Sequence, residues 1–161
     1  SNKYGFGCTS LRFSNCFGEN QKVDGEVGFV GQIIKNAVLG NQIEVFGSID
    51  RKKHLVYAGD IARITVLLAE SDWNGFRVFN IGGHEVKISV FLDLIEKKNG
   101  KLRKKITPFP EEIKAIDVGE AKLVDNCIRS HYTYKLSNFE DSLNKTIDYF
   151  QQRIGAYKSD I

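Results

Sequence analysis

The sequence predicts an α/β protein. Short apolar strands alternate with helical segments along the chain of 161 residues, and glycines mark the ends of most segments. Two segments, 8–15 and 76–81, have the composition of sheet strands, and a long connection that contains helices separates them. Strands connected in this way are expected to lie side by side and parallel.

The first part of the chain is expected to form two strands with a helix between them. In chain order, the predicted elements are strand 8–15, helix 27–39 and strand 43–46. Apolar residues follow a helical repeat within the middle segment, which indicates one buried face. The glycines expected to end the three elements are Gly18, Gly40 and Gly47.

A second helix and a second sheet strand follow. Residues 55–57 lead into Asp60, which is expected to cap a helix over 61–69 by accepting its free N–H groups. Strand 76–81 should end at Gly82 and Gly83.

Two further elements are predicted before the last helix. Ser89 is expected to cap a helix that runs to about Lys98 and ends at Gly100. Residues 106–110 contain two prolines and are expected to be extended, at a strand end or an edge. We expect segment 106–109 to pair with strand 43–46 in a second, smaller lobe.

The last helix has the clearest pattern. Ser137 and Glu140 match the S-x-x-E capping box. Apolar residues then recur every three or four positions and predict a buried face. They are Phe139, Leu143, Ile147, Phe150 and Ile154.

Composition favours an ordinary globular protein of the cytoplasm. Hydrophobic residues make up 42% and charged residues 27% of the sequence. No apolar run approaches the roughly 18 residues that cross a bilayer, and no signal-peptide pattern is present at the start. Cys8, Cys16 and Cys127 fit neither a disulfide framework nor a zinc site, which favours a reducing compartment.

Basic residues cluster between the helix ending at Gly100 and the next segment. The net charge is only +3, and aromatic residues do not interleave with the cluster as they would in many nucleic-acid sites. A solvated surface turn is therefore favoured over a binding patch, and neither nucleic acid nor membrane is expected as a partner. The cluster consists of Lys97, Lys98, Lys101, Arg103, Lys104 and Lys105.

A glycine triplet at Gly25, Gly28 and Gly31, with Asp50 further along, has the spacing of a dinucleotide-binding fingerprint. That fingerprint works only when its first glycine follows a buried strand, so that the pyrophosphate meets the helix N-terminus. Residues 19–24 are polar here. A coincidental match is therefore favoured over an NAD site.

Other catalytic or metal-binding patterns are missing from the sequence. His54, His84 and His131 have no ligand-type partner at helical spacing, and no H-E-x-x-H or C-x-x-C occurs. Asp60 and Asp125 are favoured as helix caps over acid/base groups. The residues by themselves indicate an α/β domain of unspecified chemistry, and no bound metal is expected.

Six segments in order resemble the nucleotide-sugar epimerases and dehydratases of the extended short-chain dehydrogenase/reductase family. Leu11–Gly18 is similar to the family's "LR-x-x-N-x-(Y/F)-G", and Ile43–Gly47 is similar to its "i-x-v-(Y/F)-G". Leu55–Arg63 is similar to "(F/W)-(V/I)-(Y/H)-V-x-D-x-A-R", and Phe79–Gly83 is similar to "(F/Y)-N-(I/L)-G". In chain order the segments are Leu11–Gly18, Gly28–Gly40, Ile43–Gly47, Leu55–Arg63, Phe79–Gly83 and Phe139–Tyr149.

This resemblance implies an incomplete fold: the last strands and helices of a Rossmann-type parallel sheet, with a small α/β substrate-binding lobe. The family binds NAD or NADP through an N-terminal half, which also carries a Y-x-x-x-K catalytic pair before the sixth strand. No tyrosine of this sequence has a lysine four residues later. The expectation is a C-terminal part that spans residues 1–161, binds no NAD of its own and is catalytically inactive in isolation.

The resemblance also implies an activity for the parent enzyme. Hydride transfer between a nucleoside-diphosphate sugar and NAD would support epimerisation, an isomerase reaction, or dehydration, a lyase reaction. Two alternatives stay open: a non-catalytic nucleotide-binding or regulatory protein on the same scaffold, and a complete small α/β binding domain.

An N-terminal half that is separate would leave strand 8–15 with an exposed edge, so self-association is expected.

Five residues are carried over as substrate-binding. Asn15 is expected to contact the diphosphate or sugar, and Val45 and Phe46 to line the slot for the base. Lys53 falls at the family's phosphate-binding arginine, and Arg51, two residues earlier, could substitute for it. Turn chemistry for Asn15 and plain core packing for Phe46 are the competing interpretations.

The sequence departs from the family pattern in the segment before residue 130. Asp117 stands where an arginine is often found, and Asp125-Asn-Cys-Ile128 lacks the lysine of the usual "D-x-S-K". These departures leave the nucleotide and the sugar unspecified.

Overall fold

The computed structural model of the chain describes residues 5–23, 28–111 and 122–159. Strands and helices alternate through these residues, as the sequence predicts. In chain order the elements are β1 (Cys8–Phe13), β2 (Asn15–Phe17), α1 (Phe29–Leu39), β3 (Gln42–Phe46), β4 (Lys52–Tyr57), α2 (Ala58–Ala69), β5 (Phe76–Ile81), β6 (His84–Lys87), α3 (Ile88–Asn99), β7 (Arg103–Thr107), α4 (Asn126–Arg129) and α5 (Phe139–Ser159).

β1 and β5 pair in parallel, with Cys8 opposite Phe76 and Phe13 opposite Ile81. This confirms the predicted pairing of the two sheet strands. The predicted strand 8–15 is divided, however, because the chain leaves β5 at Ser14, whose N–H makes a last bond to the Ile81 carbonyl at 3.4 Å. Asn15 then opens β2, which pairs in parallel with β4.

β4 lies at the centre of a sheet of three strands, between β2 and β6. β6 is antiparallel to β4. It was not predicted from the sequence because it has only four residues, of which Val86 alone is apolar. Gly82 and Gly83 lead from β5 into β6. A Cβ at Gly83 would collide with the Leu55 carbonyl of β4, so only glycine fits at this strand crossing.

β3 and β7 form a third, parallel pair, which confirms the predicted small lobe. Its second strand spans Arg103–Thr107 and not residues 106–109. The charged residues at its start hid the strand in the sequence, and Pro108 ends it because proline has no N–H to donate to the ladder.

The main core lies where α1, α3 and α5 pack together and against β3 and β4. Leu143, Ile147 and Phe150 of α5 are fully buried, which confirms the predicted apolar face of this helix. A smaller apolar cluster forms beside the β1–β5 pair. It contains Val56, Ile64, Leu68, Phe79, Ile81 and Ile128.

Two predicted helix caps are wrong. α2 begins at Ala58, so Asp60 lies inside its first turn and does not cap it. α3 begins at Ile88 without a side-chain cap, and the N–H of Ser89 donates to the Ile49 carbonyl at 2.8 Å. Gly40 and Gly100 end their helices at positive φ angles of 71° and 88°, as predicted.

The predicted capping box of α5 is also wrong. The hydroxyl of Ser137 donates to Asp60 at 2.8 Å, and Glu140 accepts from Lys97 at 2.6 Å. Asn138 caps the helix instead, since its Oδ1 accepts the N–H of Asp141 at 3.1 Å.

The basic cluster contacts acidic side chains of the same chain. Lys97 pairs with Glu140 at 2.6 Å, and Lys104 pairs with Glu96 at 2.8 Å. Lys98 pairs with Asp148 at 2.7 Å. These contacts support the interpretation of the cluster as a solvated surface.

Two searches of the described residues gave negative results. None of the helices in this part of the chain is both long and apolar enough to cross a membrane. The same residues contain no group of three or more His, Cys, Asp or Glu side chains placed to hold a metal ion.

Candidate ligand-binding cleft

A cleft of about 270 Å³ lies between the start of α1, the end of β3, the start of β4 and the segment after β7. Four of the five residues carried over as substrate-binding line it: Val45, Phe46, Arg51 and Lys53. Segments distant in sequence therefore meet at one site.

Two cations lie at the cleft. Arg51 and Lys53 are two residues apart at the start of β4, and both side chains line the cleft, as expected for an extended segment. The Arg51 guanidinium lies over the Phe109 ring, 4.6 Å from its centre. The Lys53 ammonium lies 5.8 Å from the centre of the Phe29 ring. Such cation–π contacts orient the long side chains while their charges still face the cleft.

Two phenylalanine rings lie beside the cations. Phe46 and Phe109 have ring centres 6.3 Å apart, with planes inclined by 36°. Gly47 has a positive φ of 77°, and a Cβ there would overlap the Phe109 ring. Glycine at this position therefore permits Phe109 to lie against the strand end. Sequence reasoning missed Phe109, although its position between two prolines indicated a restrained segment.

Val45 and Phe46 take different positions on β3. Val45 is only 3% exposed and belongs to the main core, so it supplies the floor of the cleft. Phe46 is half-buried and lines the cleft from the other face of the strand. Phe46 thus lies at the cleft, and its contact with a nucleobase stays a prediction.

Glu44 lines the same cleft, two residues before Phe46. Its carboxylate pairs with Lys105 of β7 at 3.4 Å. The sequence analysis gave no role to Glu44, because an acidic residue on an exposed strand face is the usual pattern for a solvated surface.

Asn15 is not among the residues that line the cleft. It lies on β2 opposite Leu55 of β4, and its side-chain amide donates to the His54 carbonyl at 3.3 Å. His54 follows Lys53, so Asn15 is near the cleft along β4 but contributes to strand pairing. This bond joins two strands and is not the local turn chemistry of the competing interpretation, so contact of Asn15 with a ligand stays a prediction.

Three tyrosines of the described residues have perturbed pKa values. Burial, reinforced by the hydrogen bond to Glu19, raises the pKa of Tyr57 to about 12. Burial and then Asp125 also raise the pKa of Tyr134. Hydrogen bonds with Ser71 and then Arg77 lower the pKa of Tyr132. A general base needs a lowered pKa, and Tyr132 is not a lining residue of the cleft.

Asp125 precedes the short helix α4 but makes no side-chain cap bond. Its carboxylate accepts from Arg129 at 2.7 Å and from the Tyr134 hydroxyl at 2.8 Å. The predicted cap is therefore wrong, because these stronger partners occupy the carboxylate. Asp117, the departure from the family pattern, lies outside the described residues.

The residues around the glycine triplet are described only in part. Residues 24–27, which include Gly25 and the predicted start of the helix at Val27, lie outside the described residues. β2 ends at Phe17, and residues 18–23 form no strand before α1 begins at Phe29. The fingerprint requires a buried strand before its first glycine, and residues 18–23 do not supply one.

Known proteins share both sequence and fold with this chain. The model of the NAD dependent epimerase/dehydratase family matches residues 1–82. A putative UDP-glucose 4-epimerase of Methanocaldococcus jannaschii is 29% identical over 110 residues, which are 68% of this chain and 35% of that protein. The dTDP-4-dehydro-6-deoxyglucose reductase of Escherichia coli is 30% identical over 94 residues, 57% of this chain and 29% of that protein.

Solved structures extend the match to nearly the whole chain. The UDP-glucose 4-epimerase of Thermotoga maritima, solved with UDP-glucose, has a TM-score of 0.75 and 26% identity, and the match covers 91% of this chain and 46% of that one. The dTDP-glucose 4,6-dehydratase of Bacillus anthracis, solved with NAD, has a TM-score of 0.74 at 16% identity and therefore shows the fold alone. The match covers 94% of this chain and 47% of the dehydratase chain. The chain thus spans less than half the length of the proteins it matches.

Proposed function

This chain belongs to the NAD-dependent epimerase/dehydratase family, and we propose that it is the substrate-binding part of an enzyme acting on a nucleoside-diphosphate sugar. The observation that carries the proposal is the cleft, which combines two cations, Arg51 and Lys53, with the rings of Phe46 and Phe109. Diphosphate needs positive charge and hydrogen-bond donors, and a nucleobase needs flat apolar area.

The two parts of such a substrate would occupy different parts of the cleft. Arg51 offers a planar fork of donors that can bind two phosphate oxygens at once, and Lys53 adds a point charge. Phe46 and Phe109 offer ring surface beside the cations. Asn15 is proposed to contact the sugar or diphosphate through the N–H and oxygen of its amide that the bond to the His54 carbonyl leaves available.

The nicotinamide cofactor is proposed to bind elsewhere in the whole enzyme. Residues 18–23 support this, because they form no strand ahead of the glycine triplet. We further propose that residues 1–161 are the C-terminal part of the whole enzyme, whose N-terminal part supplies the NAD or NADP site and the tyrosine–lysine pair. The chain by itself would then bind substrate weakly and catalyse nothing.

Calorimetric titration of the chain with UDP-glucose, dTDP-glucose and NAD tests this proposal. Weak but saturable heat is expected with one of the sugars and none with NAD. Hydrogen bonds to charged groups contribute about 1.5–3 kcal/mol, so K53M should weaken binding of that sugar roughly 10- to 100-fold. In the whole enzyme the same change should leave NAD affinity nearly unaltered.

K52M is the matched control. Lys52 is adjacent to Lys53 on β4 but bonds to Glu85 at 2.6 Å and does not line the cleft. Equal loss of sugar binding in both variants would contradict the assignment of the cleft. Tight NAD binding by the isolated chain would restore the glycine triplet as a cofactor site and overturn the proposal.

A further inference from the structure

A second cavity, of about 380 Å³, lies between the start of β1, the start of β5 and the end of α2. It shares no lining residue with the cleft described above. Polar and aromatic side chains reach it from three elements and from the loop before β5. Those used below are Thr9, Thr65, Ser71, Trp73 and Arg77.

Arg77 is the central residue of this cavity and is only 8% exposed. Its Nε donates to the Thr9 hydroxyl at 2.8 Å and its Nη1 to the Tyr132 hydroxyl at 2.5 Å. Its Nη2 donates to the Ser71 hydroxyl at 2.7 Å and to the Leu68 carbonyl at 3.4 Å. Every one of these acceptors is electrically neutral.

The charge of Arg77 is therefore buried without an anionic partner among the residues that the structure describes. The rings of Trp73, Phe79 and Tyr132 lie 4.6, 5.3 and 5.5 Å from the guanidinium carbon. Their faces attract the cation but carry no net charge to balance it. Isolated buried charges are costly, and buried cations are normally paired.

The cavity also contains hydrogen-bond donors with free capacity. A guanidinium has five N–H groups, and the four bonds above leave one N–H on Nη1 without a partner among the described residues. The Thr9 hydroxyl accepts from Arg77 and keeps its own hydrogen. The Thr65 hydroxyl, by contrast, already donates to the Ile61 carbonyl at 2.7 Å.

We propose that this cavity binds a compact oxyanion, a phosphate or a carboxylate, with Arg77 balancing its charge and Thr9 donating a hydrogen bond. The exposed Trp73 ring stacks on the guanidinium at the cavity wall. An oxyanion here would supply the missing negative charge and accept the hydrogen of the Thr9 hydroxyl.

The single tryptophan of the sequence provides the measurement, since Trp73 lies in the cavity wall. The fluorescence of the 161-residue chain is followed during titration with inorganic phosphate, with acetate and with potassium chloride at matched ionic strength. A saturable change with phosphate or acetate that chloride does not reproduce is expected. The anion that gives the saturable change shows whether the site binds a phosphate or a carboxylate.

Variants separate this site from a general salt effect. T9V should weaken oxyanion binding at least about 10-fold, since one donor is lost. T65V, which alters a hydroxyl of the same cavity that is already engaged, should bind as the parent does. K53M, in the separate cleft, should also bind phosphate or acetate normally, so the proposal stands independently of the substrate assignment.

R77M should abolish the response. If R77M does not fold, as circular dichroism would show, T9V and T65V still decide the question. A fluorescence response no larger than that to chloride, or equal affinities for T9V and T65V, would overturn the proposal.

Discussion

Asp60 holds two distant segments together through one carboxylate. It is 1% exposed, and both of its oxygens accept the N–H of Ser137 at 3.1 Å. Oδ1 also accepts the Ser137 hydroxyl at 2.8 Å and forms an ion pair with Arg63. Asp60 thereby links α2 to the start of α5. The sequence predicted this carboxylate as a cap of α2, but it binds the residue that precedes Asn138 and α5.

The loss of this carboxylate should destabilise the fold. D60N keeps the shape but removes the charge and one acceptor, so it should cost about 1.5–3 kcal/mol of unfolding free energy. D60A also leaves the Ser137 N–H without an acceptor and should cost about 1–3 kcal/mol more than D60N. Urea unfolding followed by circular dichroism gives both values. D72N changes an exposed carboxylate after α2, and its unfolding free energy should stay within about 0.5 kcal/mol of that of the parent. A D60N unfolding midpoint equal to that of D72N would refute the role of Asp60.

At the scale of the element, α5 depends on a cap that differs from the one its sequence suggests. Asn138 accepts the N–H of Asp141 through its side chain, and its carbonyl accepts the N–H of Ser142 at 3.1 Å. These are the two bonds of an N-cap residue. α5 supplies Leu143, Ile147 and Phe150 to the main core. A weakened first turn of this helix is therefore expected to destabilise the whole chain.

N138A should therefore reduce the unfolding free energy by about 1 kcal/mol, the usual effect of removing an N-cap side chain. N138D should retain most of the stability, since aspartate caps equally well. N144A, in the interior of the same helix, is the control and should cost nothing because alanine favours helix. Chemical denaturation of the three variants provides the comparison. A larger loss in N144A than in N138A would show that the cap is assigned wrongly.

At the scale of the molecule, β1 is the strand most open to further pairing. Within the described residues it pairs with β5 alone, so its other edge presents unpaired N–H and C=O groups. Phe6, Phe13 and Phe76 nearby are 53%, 47% and 63% exposed. Unpaired edges beside apolar surface favour association with another chain.

We expect the isolated chain to self-associate through this edge. F13K places a charge on the strand and should shift the sedimentation coefficient toward that of a monomer. V90K replaces an apolar residue of α3 that is 48% exposed and should leave association unchanged. A concentrated sample that sediments as a monomer, or an equal response of F13K and V90K, would contradict this expectation.

Several features followed from local sequence. The three- and four-residue spacing along α5 determined which side chains are buried, because the period of a helix decides which residues share a face. The long helical connection determined that β1 and β5 are parallel. The resemblance to the family, and not spacing, identified Val45, Phe46, Arg51 and Lys53 before the structure brought them to one cleft.

Only the tertiary structure decided which distant groups meet. Asp60 and Ser137 are 77 residues apart, and no local pattern couples them. Phe109 reaches the cleft because Gly47 leaves room for its ring, and Arg77 acquires its neutral surroundings from β1, α2 and the segment after α4. Hydrophobic period and turn chemistry act over a few residues, whereas contacts between elements depend on how whole faces pack. The sequence therefore determined the elements and their buried faces, and packing alone determined the partners of its buried polar groups.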